Sequence, residues 1–122
     1  MKALLIEDNR VLATITGRSL KALRFSHVDI AHSGKEALEF LSRQTYHVIL
    51  VDWMLPYGSG LDVVHCIRAS KQHKDTPVIM TTGKREREDI IKALESGVNS
   101  YLVKPIRHKV LKERIDQILD AS

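Results

Sequence analysis

The sequence is short of cysteine and aromatic residues and has no long apolar run. Cys66 is the only cysteine among 122 residues, so the chain cannot form an internal disulfide. Its uninterrupted apolar stretches are far shorter than a membrane span or the core of a signal peptide. These absences disfavour disulfide-rich and membrane-spanning classes. They predict a soluble protein in a reducing, cytoplasmic setting, with no membrane partner.

The sequence also lacks a strong excess of one charge. The formal net charge is +4, and residues 84–114 account for it, with nine Lys and Arg against five Asp and Glu. The remainder balances at ten against ten. Because the basic segment contains interspersed acidic residues and no recognisable DNA-reading motif, direct nucleic-acid binding is disfavoured.

Five short apolar segments, separated by intervals long enough for a helix, stand out along the chain. They predict strands at residues 2–7, 27–31, 46–52, 78–82 and 100–103. Short runs rich in Val, Ile and Leu are typical of strands that are buried on both faces of a parallel sheet. The alternation of strands and helices therefore predicts an α/β protein.

Helical periodicity and capping residues place five helices in the gaps. The first is expected over residues 10–23, the second begins at the capping-box pair Ser33 and Glu36, and the fourth ends at Gly97. The apolar positions expected to face the core are Leu12, Ile15, Leu20 and Leu23 in the first helix, Ala37, Leu38 and Leu41 in the second, Leu61, Val64 and Ile67 in the third, Ile90, Ile91 and Leu94 in the fourth, and Leu111, Ile115 and Ile118 in the fifth.

Five βα units with right-handed crossovers form a three-layer sandwich. We expect one domain over residues 1–122, with a five-stranded parallel sheet in the flavodoxin-like order 2-1-3-4-5. In this order the switch point lies between the first and third strands. Ligands of open α/β sheets bind at such a point, beyond the carboxyl ends of the strands.

Polar residues follow four of the predicted strands at the point where each strand ends. Glu7 and Asp8 follow the first, Asp52 ends the third, Thr82 ends the fourth, and Lys104 follows the fifth. Because parallel strands all end at one edge of the sheet, these side chains are expected to meet in one site.

Three carboxylates at one edge would repel each other unless a cation were bound among them. An all-oxygen site with few protein ligands suits Mg²⁺, which keeps several waters and is completed by a phosphate group. Zinc is disfavoured, because the six histidines are scattered and expected to be exposed and Cys66 has no partner at ligand spacing. Asp52, followed by the turn-forming residues 53–60, is placed to act as a nucleophile on phosphorus. Lys104 and Thr82 would supply a positive charge and a hydroxyl donor.

The order Glu7-Asp8, Asp52, Thr82-Gly83 and Lys104-Pro105 resembles the receiver domain of bacterial two-component response regulators, in the CheY-like superfamily. The resemblance covers essentially the whole chain. It implies a phosphorylation-dependent signalling switch, with self-catalysed phosphoryl acceptance and autodephosphorylation as its only chemistry.

The resemblance also assigns roles. It implies that Asp52 accepts a phosphoryl group from the phosphohistidine of a sensor histidine kinase or phosphotransfer protein. Asp8, Asp52 and the Met54 carbonyl would bind Mg²⁺, for which Mn²⁺ can substitute, and Glu7 would act through metal-bound water. Met54 and Lys84 would flank the path of the attacking water and so tune the lifetime of the acyl phosphate.

The same resemblance implies an output mechanism. Thr82 and Lys104 would contact the phosphoryl group, the Lys104–Pro105 bond would be cis, and Tyr101 would be the aromatic switch residue. The surface of the fourth helix, fifth strand and fifth helix would then change shape. Because this surface coincides with the basic segment, its partner, or a second copy of the chain in a homodimer, is expected to present acidic groups.

Three alternatives remain at this stage. The chain could be the receiver part of a longer DNA-binding response regulator or of a hybrid kinase. An aspartyl-phosphate phosphatase of the haloacid-dehalogenase type is disfavoured, since it normally has a second Asp where this chain has Met54. A flavin or nucleotide carrier is disfavoured because no glycine-rich phosphate loop follows the first strand.

Overall fold

A parallel sheet of five strands forms the centre of the protein. The computed structural model describes residues 1–83 and 86–120. The strands are β1 (Lys2–Ile6), β2 (His27–Ala31), β3 (Val48–Asp52), β4 (Met54–Leu55), β5 (Gly58–Ser59), β6 (Val78–Thr82) and β7 (Ser100–Val103). The central sheet has the order β2-β1-β3-β6-β7, and β4 and β5 form a separate antiparallel pair. The predicted order 2-1-3-4-5 is confirmed, because β6 and β7 are its fourth and fifth strands.

Four helices connect strands, and a fifth follows β7: α1 (Arg10–Lys21), α2 (Gly34–Arg43), α3 (Gly60–Ala69), α4 (Arg87–Glu95) and α5 (His108–Asp120). α1 is two residues shorter than predicted at its carboxyl end. Its amino-terminal cap is Asn9, whose side chain accepts a hydrogen bond from the Leu12 amide. Ser33 caps α2 as predicted, by accepting from the Glu36 amide at 3.1 Å. Gly97 follows α4 with φ 111°, which is the left-handed conformation expected of it.

The two faces of the sheet carry separate hydrophobic cores. On β3, Ile49 and Val51 pack with α2, α3 and Ala93 of α4, whereas Val48 and Leu50 pack with α1 and α5. All five residues of β3 are buried. Alternate residues of the central strand therefore belong to opposite layers, as expected of a strand covered by helices on both sides.

The predicted apolar face of α1 is partly wrong. Leu12 and Ile15 are 38% and 54% exposed, while the buried residues of this helix are Ala13, Gly17 and Leu20. The small residues face the sheet because the helix lies close to it, and a Cβ on Gly17 would meet Ile30 Cδ1 at 3.2 Å. The same correction applies to Leu38 of α2 and to Ile91 and Leu94 of α4, which are exposed.

The expectation that the histidines are exposed is also wrong in part. His73 is 3% exposed, and its Nε2 lies 2.7 Å from the Leu41 carbonyl oxygen. His32 is half-buried. His73 therefore links the loop after α3 to the end of α2, a contact that sequence periodicity does not reveal.

Across residues 1–83 and 86–120, none of the helices combines the length and the apolar composition needed to cross a lipid bilayer.

Candidate functional site

The register of the sheet brings the predicted polar residues to one edge. Ile6 pairs with Val51, and Thr82 pairs with Val103. Glu7, Asp52 and Lys104 therefore lie at the ends of strands that finish level with one another. The Lys104 amide donates to the Thr82 carbonyl at 2.8 Å, which extends the pairing of β6 and β7 by one step.

The three predicted carboxylates converge. Each of Glu7, Asp8 and Asp52 offers an oxygen within 4.8 Å of the others. Glu7 and Asp52 are 4% and 5% exposed, whereas Asp8 is exposed. The donor set is all oxygen and opens to solvent on the Asp8 side, which suits a hard cation that keeps part of its water shell, such as Mg²⁺.

Lys104 bridges two of these carboxylates. Its Nζ lies 2.6 Å from Glu7 Oε1 and 2.9 Å from Asp52 Oδ2. Burial opposes the charge, but the hydrogen bonds to Glu7 and Asp52 outweigh it and raise the pKa of Lys104 above its ordinary value. The ammonium group therefore stays charged and directly contacts the acidic cluster. The Lys104–Pro105 peptide bond is cis, which confirms the prediction.

Backbone amides hold the remaining carboxylate oxygens. Glu7 Oε2 accepts from the Asn9 amide at 3.1 Å, and Asp52 Oδ1 accepts from the Met54 amide at 3.3 Å. Each carboxylate is thus bound through one oxygen to Lys104 and through the other to the chain just after it. This arrangement orients both groups before any ligand binds.

The segment after Asp52 is the turn that was predicted, but it also contains a hairpin that was not. Met54 pairs with Ser59 and Leu55 with Gly58, and Tyr57 between them has φ 61°. Two-residue strands carry little sequence signal, because so short a segment shows no periodicity.

At the end of this segment, Gly60 begins α3 against the end of β3. A Cβ on Gly60 would overlap the Asp52 carbonyl oxygen, and the Gly60 amide donates to the Trp53 carbonyl at 2.6 Å. The close approach of two backbones, which only glycine permits here, fixes where Asp52 lies.

Tyr101 lies inside the protein next to the site. It is 9% exposed and packs edge-to-face on Trp53, with ring centroids 6.5 Å apart. Burial raises the pKa of Tyr101, and a side-chain hydrogen bond with Thr82 acts in the opposite direction. Thr82 and Tyr101, two of the predicted switch residues, are thus in direct contact.

Two neighbours of the site were missed from the sequence. His32 follows β2 directly, and its Nδ1 lies 3.0 Å from the Glu7 carbonyl oxygen. The strand-end argument, applied to β2 as well, would have found it. Trp53 lies within the predicted turn-forming residues 53–60, but its contact with Tyr101 depends on how β3 and β7 are arranged. Lys84, predicted to flank the attacking water, lies outside the described residues, whereas Met54 is 64% exposed.

Comparisons with known proteins agree on one family. Residues 3–116 match the response regulator receiver domain. The chain is 36% identical to the chemotaxis protein CheY-3 of Vibrio cholerae over 98% of this chain and 92% of that protein. It is 37% identical to CheY1 of Helicobacter pylori, over 100% and 99% of the two chains.

Solved structures agree. CheY4 of V. cholerae superposes with a TM-score of 0.90 at 26% identity, covering 97% of this chain and 98% of that one. The receiver domain of the sensor histidine kinase PA1611 of Pseudomonas aeruginosa, solved with a magnesium ion coordinated in its active-site cleft, superposes with a TM-score of 0.88 at 30% identity, covering 98% of each chain. The chain therefore belongs to the response regulator receiver family and is a CheY-like phosphorylation-dependent signalling domain.

Proposed function

We propose that Asp52 is the phosphoryl acceptor of this receiver and that a phosphohistidine on a histidine kinase or phosphotransfer protein is the donor. The observation that carries the proposal is the position of the Asp52 carboxylate, which contacts Lys104 and lies within 4.8 Å of oxygens of Glu7 and Asp8. An Asp52 oxygen would form a bond to phosphorus as the phosphorus–nitrogen bond of the donor breaks, and the histidine would regain a proton from solvent.

A divalent cation is expected at the acidic cluster. Asp8 and Asp52, with the Met54 backbone carbonyl, would hold it directly, and Glu7 would act through a bound water. Such an ion, Mg²⁺ or in its place Mn²⁺, neutralises negative charge on the phosphoryl group during transfer. The all-oxygen donor set and the exposed position of Asp8 support this assignment.

Lys104 and Thr82 are proposed to bind the transferred group. The Lys104 ammonium already contacts Asp52 Oδ2, so it is close enough to bind an oxygen of a phosphoryl group attached to Asp52. Thr82, at the end of the neighbouring strand, would donate its hydroxyl to another oxygen. The raised pKa of Lys104 keeps the positive charge available through the neutral pH range.

Tyr101 is proposed as the switch. When Thr82 turns toward a phosphoryl group, the buried position of Tyr101 beside Trp53 would be favoured over an outward position. The contact between Thr82 and Tyr101 supports this coupling. Moving such an equilibrium from mostly off to mostly on requires roughly 5 kcal/mol of differential stabilisation.

The output partner is proposed to bind on α4, β7 and α5. Ile91 and Leu94 of α4 are 43% and 47% exposed, and Arg107 and Arg114 line a groove beside β7. A surface that carries both exposed apolar and basic side chains fits an acidic, partly apolar partner surface, either on another protein or on a second copy of the chain. Added salt should weaken that association.

Intact-mass spectrometry after incubation with acetyl phosphate and Mg²⁺ tests the central assignment. We expect the wild type to gain one phosphoryl group, and to lose this ability when EDTA removes the metal. Asp52→Asn should gain none, whereas the matched control Asp75→Asn, at the opposite edge of the sheet, should behave as the wild type does. An adduct on Asp52→Asn, or one that forms equally well in EDTA, would contradict the proposal.

A further inference from the structure

Arg68, in the last turn of α3, binds two separate segments of the chain, residues 74–76 and residues 97–99. Its Nε donates to the Gly97 carbonyl at 2.8 Å, and its Nη1 donates to the carbonyls of Lys74 and Thr76 at 3.0 and 2.7 Å. Its Nη2 donates to Asn99 Oδ1 at 2.8 Å. All four acceptors are uncharged. A planar guanidinium with this many oriented bonds fixes geometry, which a lysine could not reproduce.

The Arg68 side chain also lies across the turn that ends α4. A Cβ on Gly97 would come within 3.0 Å of Arg68 Cγ and 3.2 Å of its Nε. A glycine is therefore required at position 97, because φ is positive there and because a side chain would collide with the aliphatic part of Arg68. Arg68 thus holds the chain just after α4 through the Gly97 backbone.

Arg68 holds the start of β7 in the same way. Asn99 Oδ1, which accepts from Arg68, also accepts from the Val78 amide at 2.8 Å, and the Asn99 amide donates to the Val78 carbonyl at 2.8 Å. Asn99 thus fixes the position at which β7 begins to pair with β6. Tyr101 follows two residues later, so its position along β6 depends on this junction.

The rest of α4 is held more lightly. Ala93 is the only buried residue among its described positions 87–95. Its amino-terminal cap, Glu86, makes no side-chain capping hydrogen bond. α4 is therefore anchored at its carboxyl end by Arg68, and along its length it packs on the core through the buried Ala93 and the partly buried Ile90.

We infer that Arg68 is a positioning residue that makes residues 97–99 a fixed pivot, about which the amino-terminal half of α4 moves when the receiver is phosphorylated. The inference rests on the proposed function, since it concerns how the phosphorylated site reshapes α4. The pivot limits the movement to the end of α4 nearer Thr82 and keeps Tyr101 in register. Without it, the same phosphoryl group would displace the whole helix and the start of β7.

Amide NMR on the full chain, before and after phosphorylation with acetyl phosphate and Mg²⁺, tests the pivot. In the wild type we expect the amides of residues 88–91 to shift several times more than those of residues 97–99. In Arg68→Gln the shifts at 97–99 should rise to match those at 88–91. Arg43→Gln, which removes an arginine from the last turn of α2, is the matched control and should keep the wild-type pattern.

Further measurements separate a pivot from a general loss of structure. Hydrogen exchange at rest should quicken in Arg68→Gln by a larger factor for the Asn99 amide than for the Ile49 amide in β3, which reports global unfolding. Arg68→Lys keeps the positive charge and the aliphatic part of the side chain but loses the planar guanidinium, so we expect it to resemble Arg68→Gln. Intact mass should show the same Asp52 phosphorylation in both variants as in the wild type.

Equal shifts at 88–91 and 97–99 in the wild type would overturn the inference, and this outcome does not depend on whether any variant folds. A wild-type pattern in Arg68→Gln would overturn it as well. Absence of phosphorylation in the wild type would instead count against the proposed function. In that case the exchange of the Asn99 amide at rest still decides whether Arg68 anchors this junction.

Discussion

Lys104 has a large effect on the electrostatics of the site. Its ammonium group contacts two carboxylates that are almost fully buried, so it offsets their mutual repulsion. A divalent cation would bind to the same carboxylates. Lys104 and a bound metal ion would therefore compete in part for the same carboxylates.

Replacing Lys104 by methionine should expose this competition. The variant keeps the stem but loses the charge, so without metal we expect it to lose about 2 kcal/mol of folding free energy. It should gain more from Mg²⁺ than the wild type does, because the unpaired carboxylates bind the ion more tightly. Thermal unfolding across a Mg²⁺ series measures both effects. Lys112→Met, which removes an exposed lysine from α5, is the control, and an identical Mg²⁺ response in Lys104→Met and the wild type would refute this account.

Tyr101 offers a test by pH. Burial raises its pKa above the ordinary value of 10.0, so the folded protein favours the neutral phenol. The stability that results is fully present below pH 10.0 and is lost as the pH rises through the folded-state pKa. The tyrosinate absorbance that disappears in Tyr101→Phe should therefore develop above pH 10.0. If the absorbance difference between the wild type and Tyr101→Phe has fully developed by pH 10.0, the Tyr101 phenol is not buried as described.

At the scale of elements, the junction between β3 and α3 sets the position of the nucleophile. Gly60 begins α3 where a side chain would overlap the Asp52 carbonyl. The hairpin of β4 and β5 returns the chain to this point, and the Gly60 amide bonds to Trp53. Asp52 is thus held by the helix that follows it as well as by its own strand.

Gly60→Ala should therefore damage both stability and phosphorylation. The added methyl group must displace backbone, so we expect a loss of about 3 kcal/mol and a slower gain of phosphoryl mass from acetyl phosphate. Gly83→Ala is the matched control, since a Cβ there meets nothing within 4 Å. Chemical denaturation and timed intact-mass measurements would show the difference. Similar results for the two variants would contradict the proposed role of the junction.

At the scale of the whole molecule, the sheet should be most stable at its centre. β3 is buried along its entire length, whereas β2 is an edge strand with only Ala31 fully buried. After correction for intrinsic rates, amides of β3 should exchange more slowly than those of β2 by about tenfold or more, because opening β3 requires global unfolding. Native-state hydrogen exchange measures this. Equal protection of the two strands would show that the edge does not open locally.

The accuracy of the sequence predictions differed between strands and helices. Residues 78–82 form a strand as predicted, and the strand predicted over residues 46–52 is observed at Val48–Asp52, because strands buried on both faces are continuous apolar runs. For α1 the helical period was correct but the face only in part: Leu20 is buried as predicted, whereas Ala13 and Gly17, rather than Leu12 and Ile15, face the sheet. How closely a helix approaches a sheet depends on both elements together, so hydrophobicity alone does not reveal it.

By itself, the sequence determined the strand order and the meeting of Glu7, Asp8, Asp52 and Lys104, because parallel strands necessarily place their carboxyl ends at one edge. Only the tertiary structure decided the contacts between segments whose spacing in the chain is unrelated to their spacing in space. These include the packing of Tyr101 on Trp53 and the binding of Gly97 and Asn99 by Arg68. Side-chain contacts of this kind depend on the distances and angles between packed layers, which no local pattern of residues encodes.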